Sequence, residues 1–306
     1  MNVRGCSLRD VAVILTIAQA SDMASVGEPD WTEDEVVATL TAPNHDPAVD
    51  SWLAFDAAGA PLAWAYVDNP ERSERENVEV YAVPGEAGHA CYAPLLARAL
   101  TRIAERAREA GRSAVTVHAG AVATEADYIA ELVAAGFAFH RRHARMAKPL
   151  TAADITKNAE IRVVQPTELR RFHEVLQAAF HDIHDFQPMS YEEWMESVEA
   201  QPSTSWDEWL VAERDGVIVG ILQSSDQGVD RGEGWIKNLA VLREHRRAGI
   251  GAELMRAAFS IYASKGRSSA GLGVDLTNPT GAYHFYEGLG LSVTFAADMY
   301  QRTITA

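Results

Sequence analysis

Trp235-Ile-Lys-Asn-Leu-Ala-Val241-Leu-Arg-Glu-His-Arg246-Arg-Ala-Gly249-Ile-Gly251 reads as an apolar strand, a short basic loop, and a helix opening near Ala252-Glu-Leu-Met. A helix start leaves backbone N–H groups without partners and carries the positive end of the helix dipole. Such an end suits a phosphate. Gly249 and Gly251 let the backbone turn and approach an anion closely. Arg246 and Arg247 add positive charge. The stretch therefore predicts an α/β unit in which a strand feeds an anion-binding helix end.

A second segment lies downstream, Asn278-Pro-Thr-Gly-Ala282-Tyr-His-Phe-Tyr286-Glu-Gly-Leu-Gly290. The first stretch resembles the cofactor loop of GNAT acetyltransferases, Arg/Gln-x-x-Gly-x-Gly/Ala. The second resembles that family's Asn-x3-Ala-x3-Tyr-x3-Gly segment. They stand in the family's order and at its spacing. The resemblance implies acetyl-CoA as co-substrate, with no metal. It also implies that Leu239, Ala240 and Val241 hold the thioester carbonyl and the pantetheine arm. N–H groups of Arg247, Ala248, Gly249, Ile250, Gly251 and Ala252 would cradle the pyrophosphate, beside Arg246. Asn278 and Ala282 would contact the cofactor. Tyr286 would protonate the departing thiolate, a role a phenol can fill within hydrogen-bond reach.

An amine must lose a proton before it attacks a thioester. Many family members place a glutamate six positions before the loop-entry valine; here that position is Trp235. Glu233 lies two residues earlier, on the same strand face, and is the candidate base, acting directly or through a water. His181, His184 and Asp185, after the first helix of this half, are the other candidates. His181 and His184 also have a spacing that a metal pair would use, but no third ligand is signalled. Trp194, Trp206, Trp209 and Trp235 suit either core packing or an acceptor pocket.

Working outward, the chain reads as one unit written twice. Ile161-Arg-Val-Val164 is a strand, and Gln165-Pro-Thr-Glu168 starts a helix carrying Leu169, Phe172, Val175, Leu176 and Ala179 on one side. In the first half, Ser7 starts a helix carrying Leu8, Val11, Ile14 and Leu15. The apolar run Val11–Ala18 thus reads as an ordinary first helix rather than a secretory leader; Asp10 abuts it, and it is too short to span a bilayer. Both halves continue with a second helix, a hairpin (Trp52–Tyr66 and Trp209–Leu222), a third strand, and a long helix closed by Gly111 or Gly266. The pattern is β-α-α-β-β-β-α-β-α-β in each half. It predicts two tandem GNAT-type domains, each a central mixed β-sheet flanked by helices (α/β, with an α+β mixed sheet). The expected division is residues 1–150, a linker at 151–159, and 160–306. This two-domain layout resembles the mycothiol synthase type.

The chemistry is not repeated. Aligning Val83 with Val241 puts Gly88 at Arg246, Cys91 at Gly249 and Ala93 at Gly251. Aligning Gly136 with Gly290 puts Leu132 at Tyr286 and Thr124 at Asn278. The first half is therefore expected to be a degenerate, non-catalytic copy.

Composition sets the outer limits. The chain has 306 residues, 47% hydrophobic and 23% charged, which fits a folded protein of two domains. A net charge of −16 repels polyphosphate, so nucleic acid is not an expected partner. No membrane association is expected either. The two cysteines, Cys6 and Cys91, form no disulfide or zinc pattern, as in a cytoplasmic protein. The expected activity is acetyl transfer to a primary amine of a small molecule or short peptide, by a monomer. Synthesis of mycothiol, acetylation of a cationic antibiotic or aminated metabolite, and non-catalytic acyl-CoA binding are the alternatives.

Overall fold

The computed structural model of the chain describes residues 1–29, 31–69, 73–156, 160–181, 186, 188–199, 204–278 and 281–305. The first half contains β1 (Asn2–Gly5), α1 (Val11–Ser25), α2 (Glu33–Leu40), α3 (Pro47–Asp50), β2 (Ser51–Phe55), β3 (Pro61–Asp68) and β4 (Arg75–Ala82). It continues with α4 (Glu86–His89), α5 (Tyr92–Glu109), β5 (Ala114–Val122), α6 (Ala126–Ala134) and β6 (Ala138–Pro149). The second half contains β7 (Ile161–Val163), α7 (Leu169–Phe180), α8 (Tyr191–Glu199), β8 (Leu210–Arg214), β9 (Val217–Ser225) and β10 (Glu233–Val241). It ends with α9 (Ile250–Ser264), β11 (Ser269–Asp275), α10 (Ala282–Glu287) and β12 (Ser292–Thr305). Apart from the short helices α3 and α4, this is the order expected from the sequence. No helix among the described residues is long and apolar enough to cross a membrane.

The chain forms two units. One is Met1–His143 with the segment from Phe295 onward; the other is Ala144–Thr294. The boundaries differ from the expected division at 150. Residues Ala297–Thr305 of β12 pair antiparallel with β5, so backbone hydrogen bonds hold the C-terminal strand in the first unit. The stretch expected as a linker is tied down in the second unit. Leu150 N–H donates to the Ser268 carbonyl, and Thr156 exchanges two hydrogen bonds with the Ser260 hydroxyl on α9. Residues 157–159 lie outside the described residues.

In the first unit the strand order is β1-β2-β3-β4-β5-β12, with β4 and β5 parallel. The buried face of α5, including Leu95, Leu96, Ala99 and Ile103, packs on Ala65, Val67, Val78 and Val80. Trp64 and Tyr66 join Ile14 and Ile17 of α1 in a separate core. In the second unit the order is β6-β11-β10-β9-β8-β7, with β10 and β11 parallel. Phe172, Val175 and Leu176 of α7 pack on Trp209, Val211, Ile221 and Ala240. Gly220, next to Ile221 and so on the other face, lets Ile250 and Leu254 of α9 approach. α7 and α9 therefore cover opposite faces of this sheet. Gly111 and Gly266 take φ of +69° and +79° and close α5 and α9, as the sequence predicts. In each case the next residue's N–H bonds back to a carbonyl five positions earlier, Ala107 or Tyr262.

Candidate active site

β10 is paired on its two sides to different extents. Its antiparallel pairing with β9 reaches Val241, with a register shift that leaves Lys237 as the extra residue of a bulge. Its parallel pairing with β11 covers only Glu233–Ile236 against Ser269–Leu272. Beyond Ile236, among the described residues, the β11-facing edge of β10 has no strand partner. That edge includes Leu239, Ala240 and Val241. An extended polar chain could bond there as an added strand does.

The loop after β10 turns through Arg247 at φ +63° and Gly249 at φ +85°. The first helical bond of α9 is Glu253 N–H to the Gly249 carbonyl, and no side chain caps the helix. None of the N–H groups from Arg247 to Ala252 has an acceptor among the described residues. Successive turns of this kind form a concavity lined by N–H groups, suited to an anion. The segment is also exposed up to Gly249, so an anion can reach it.

Arg246 is placed differently from a free phosphate ligand. Its Nε donates to the Val241 carbonyl at 3.0 Å and its Nη2 to the Ala179 carbonyl at 2.9 Å. The guanidinium thus ties the end of β10 to the end of α7. Arg247 has no hydrogen-bond or ion-pair partner among the described residues and is the available charge of the loop.

α10 closes over the same helix start. A Cβ built at Gly251 would lie 3.3 Å from Cζ of Phe285 and 3.9 Å from Cδ2 of Leu239. Gly251 therefore gives Phe285 room against the first turn of α9. Tyr286 follows it, with ring centroids 5.2 Å apart. Burial pushes the Tyr286 phenol up to about 12, so it carries its proton at neutral pH. The side-chain hydrogen bonds of α10, Tyr283 and His284 to Glu287, do not involve the Tyr286 hydroxyl. Asn278 and Ala282 lie on the connection from β11 and on the first turn of α10. The Asn278 carbonyl accepts the Gly281 N–H at 3.3 Å.

Glu233 does not join this group. It shares a strand face with Trp235, as expected, but it sits at the closed end of β10, where pairing with β11 is intact. It stands six positions before Leu239, about 20 Å along an extended strand. Its side chain is 5% exposed and its carboxylate is held by the Arg145 guanidinium. Arg145 also lies 5.2 Å above the Trp235 ring. Gly271 permits this meeting, since a Cβ there would collide with Glu233 and touch Trp235. In this structure Glu233 is thus a buried partner of Arg145, which sets it apart from a base free to act directly. The sequence carried one signal of it, the alternation Gly271-Leu-Gly273, which leaves one face of β11 without side chains. His181 caps the end of α7, and His184 and Asp185 lie outside the described residues. Trp194 and Trp209 are core, whereas Trp206 is 37% exposed.

A strand pair that parts beside an uncapped, anion-ready helix end, with a neutral phenol on the adjoining helix, suits a ligand that carries both an extended polar arm and a phosphate. Residues 169–291 match the model of the Acetyltransferase (GNAT) family. Among solved structures, a GCN5-related N-acetyltransferase from Sphaerobacter thermophilus is similar over 100% of this chain and 96% of its own, at 24% identity and TM-score 0.81. A tandem GNAT protein from the clavulanic acid biosynthesis pathway is similar over 99% of this chain and 98% of its own, at 16% identity and TM-score 0.64. A glucosamine N-acetyltransferase region of a fungal β-N-acetylglucosaminidase covers 98% of this chain and 38% of its own, at 14% identity and TM-score 0.68. These likenesses establish the fold. No curated protein sequence matches the chain. Members of that family use an acyl-CoA as co-substrate.

Proposed function

We propose that the second unit transfers an acetyl group from acetyl-CoA to a primary amine of a small molecule or short peptide, by direct attack on the thioester. The observation that carries this reading is the run of partnerless N–H groups from Arg247 to Ala252, set at the end of a strand with an open edge. The helix end accepts the pyrophosphate, and the edge at Leu239–Val241 holds the pantetheine arm and polarises the thioester carbonyl. N–H groups directed at that oxygen stabilise the charge it gains as the amine adds. Tyr286 gives its proton to the sulfur as the carbon–sulfur bond breaks. The amine's proton leaves to a group other than Glu233, which is enclosed and paired.

The first unit is proposed to be non-catalytic. Its loop is wound into α4, and a Cβ at Gly88 would fall 2.0 Å from the Val83 carbonyl. There the chain closes onto the strand end that Arg246 caps in the second unit. Calorimetric titration of acetyl-CoA into the whole chain tests both statements. One site per chain, weakened by Gly249→Ala, is expected; two equal sites overturn the assignment of the first unit. Thiol release on mixing acetyl-CoA with a panel of primary amines tests the transfer. Tight binding with no release from any amine favours an acyl-CoA-binding protein without turnover.

A further inference from the structure

Lys237 is the extra residue of the bulge in β10, at the point where β11 parts from that strand. Side chains alternate between faces along a strand. Ile236 faces α9, because Ser224 opposite it bonds the Tyr262 hydroxyl of that helix. Lys237 therefore turns to the other face, the one on which α7 packs. Asn238 is on that face too, since Ala240, two positions on, belongs to the core under α7. A bulge sets two residues against one on the partner strand and so re-aims a side chain. Gly273, which follows the last paired residue of β11, has no side chain, and a Cβ there would meet nothing within 4 Å. The lysine stem thus has open space beside it, toward the free edge at Leu239–Val241.

The lysines of the chain are Lys148, Lys157, Lys237 and Lys265. Lys148 is paired with Asp154 at 2.6 Å, and Lys265 with Asp207 at 2.6 Å and Glu208 at 2.8 Å. Lys157 lies outside the described residues. Lys237 is exposed and has no hydrogen-bond or ion-pair partner among the described residues. Leu239 is two positions on, about 7 Å along an extended strand. A flexible four-carbon stem carries the Lys237 amine across that interval. The other face of the edge is closed by α9 and α10, where Leu239 and Phe285 flank Gly251. A thioester held along the edge is therefore approached by an amine from the side on which Lys237 stands. Lys237 is then a primary amine tethered beside the acyl group, at the high effective concentration of an intramolecular reactant.

We propose that Lys237 is acetylated by the acetyl-CoA bound to its own chain when no acceptor amine is present, an inference that rests on the function proposed above. The Lys237 ammonium first gives one proton to water. The Nζ lone pair then forms the bond to the acetyl carbon, the carbon–sulfur bond breaks, and the sulfur takes the Tyr286 proton. The second proton that Nζ loses restores the phenol through solvent. One acetylated lysine, one free thiol and one proton result, and a positive charge is removed from this face. The test is incubation of the whole chain with acetyl-CoA and no amine, read by intact mass and peptide mapping, with calorimetric titration of acetyl-CoA alongside. S-acetyl-N-acetylcysteamine, a thioester without the phosphates, is the control donor. One acetyl group per chain is expected, on Lys237, gained at least tenfold faster than on Lys148 or Lys265. Its rate per chain should not change with chain concentration, and the control donor should show no such preference. Lys237→Arg, a change at an exposed position, should gain no acetyl group at that rate. Bound acetyl-CoA with Lys237 unmodified, a label that maps to another lysine, equal rates at every lysine, or a rate per chain that rises with chain concentration would each overturn the inference and leave the proposed function standing. Absence of acetyl-CoA binding would overturn both.

Discussion

Arg246 donates from Nε to the Val241 carbonyl oxygen at 3.0 Å, and its other donor, Nη2, reaches the Ala179 carbonyl at 2.9 Å. One planar side chain thereby sets the distance between the end of β10 and the end of α7. The loop that carries the free N–H groups begins at this clasp. Lysine has one point of charge and cannot fill two separated sites in a fixed plane. Arg246→Lys should therefore weaken acetyl-CoA about tenfold, nearly as much as Arg246→Ala. Arg247→Ala should cause a smaller loss that shrinks as salt is raised, because it removes only an exposed charge. Titration of acetyl-CoA at low and high salt separates the two. Full retention of affinity by Arg246→Lys would show that the clasp does not shape the loop.

The ion pair of Glu233 and Arg145 joins β10 to β6 across the side-chain-free position Gly271. Glu233 is buried while Arg145 is part-exposed, so removing Arg145 leaves a buried carboxylate uncompensated, at a cost of about 3 kcal/mol. Arg145→Met should lower the melting temperature of the chain by several degrees, and Glu233→Gln by less, since an amide still accepts from the guanidinium. Neither should change the shape of the pH–rate profile. Loss of the basic-activity limb in Glu233→Gln, with the fold intact, would return Glu233 to the list of bases.

The local pattern made much of this site legible. An apolar run, a basic loop and two glycines specify a strand, a turn and a helix start, and Gly266 fixes where that helix stops. Each is a contact between residues close in sequence. Glu233 shows the limit. Its face on the strand follows from a two-residue period, but which end of β10 is open follows from where β11 leaves it. That divergence, and the Arg145 that arrives from 88 positions away, are tertiary facts. The same holds for β12. Its alternation marks a strand, yet nothing in its side chains says that its partner is β5.

Glu79 gives a prediction about pH. It stands opposite Tyr66 in the β3–β4 pairing. Burial first, then repulsion from Asp68 and Glu125, raises its carboxyl from 4.5 to about 8. The folded chain thus holds this proton more tightly than the unfolded chain. Its contribution to stability is full below pH 4.5, declines as pH rises toward 8, and levels off above that. Glu79→Gln keeps the shape and removes the titration. The variant should melt several degrees above the parent at pH 8.5 and close to it at pH 5. Equal melting temperatures at pH 8.5 would contradict the raised carboxyl.

Tyr286 is raised to about 12 by burial, which separates two roles that a phenol could have. As a base it would need to be ionised, and activity would climb with pH through the alkaline range. As an acid it must be protonated, and it stays so up to about pH 12, so it imposes no fall in rate across the range in which the chain is assayed. Tyr286→Phe should lower kcat by about 10²–10⁴-fold, the usual contribution of a positioned proton donor. Acetyl-CoA affinity should change little, because Phe285 and the N–H groups of α9 are untouched. The discriminating comparison uses acyl donors whose leaving thiols differ in acidity. A thiol that departs readily as its anion needs less help from a donor, so the gap between parent and variant should narrow as the leaving thiol becomes more acidic. A gap that stays constant across the series would mean that Tyr286 acts by packing against Phe285 and not by giving up its proton.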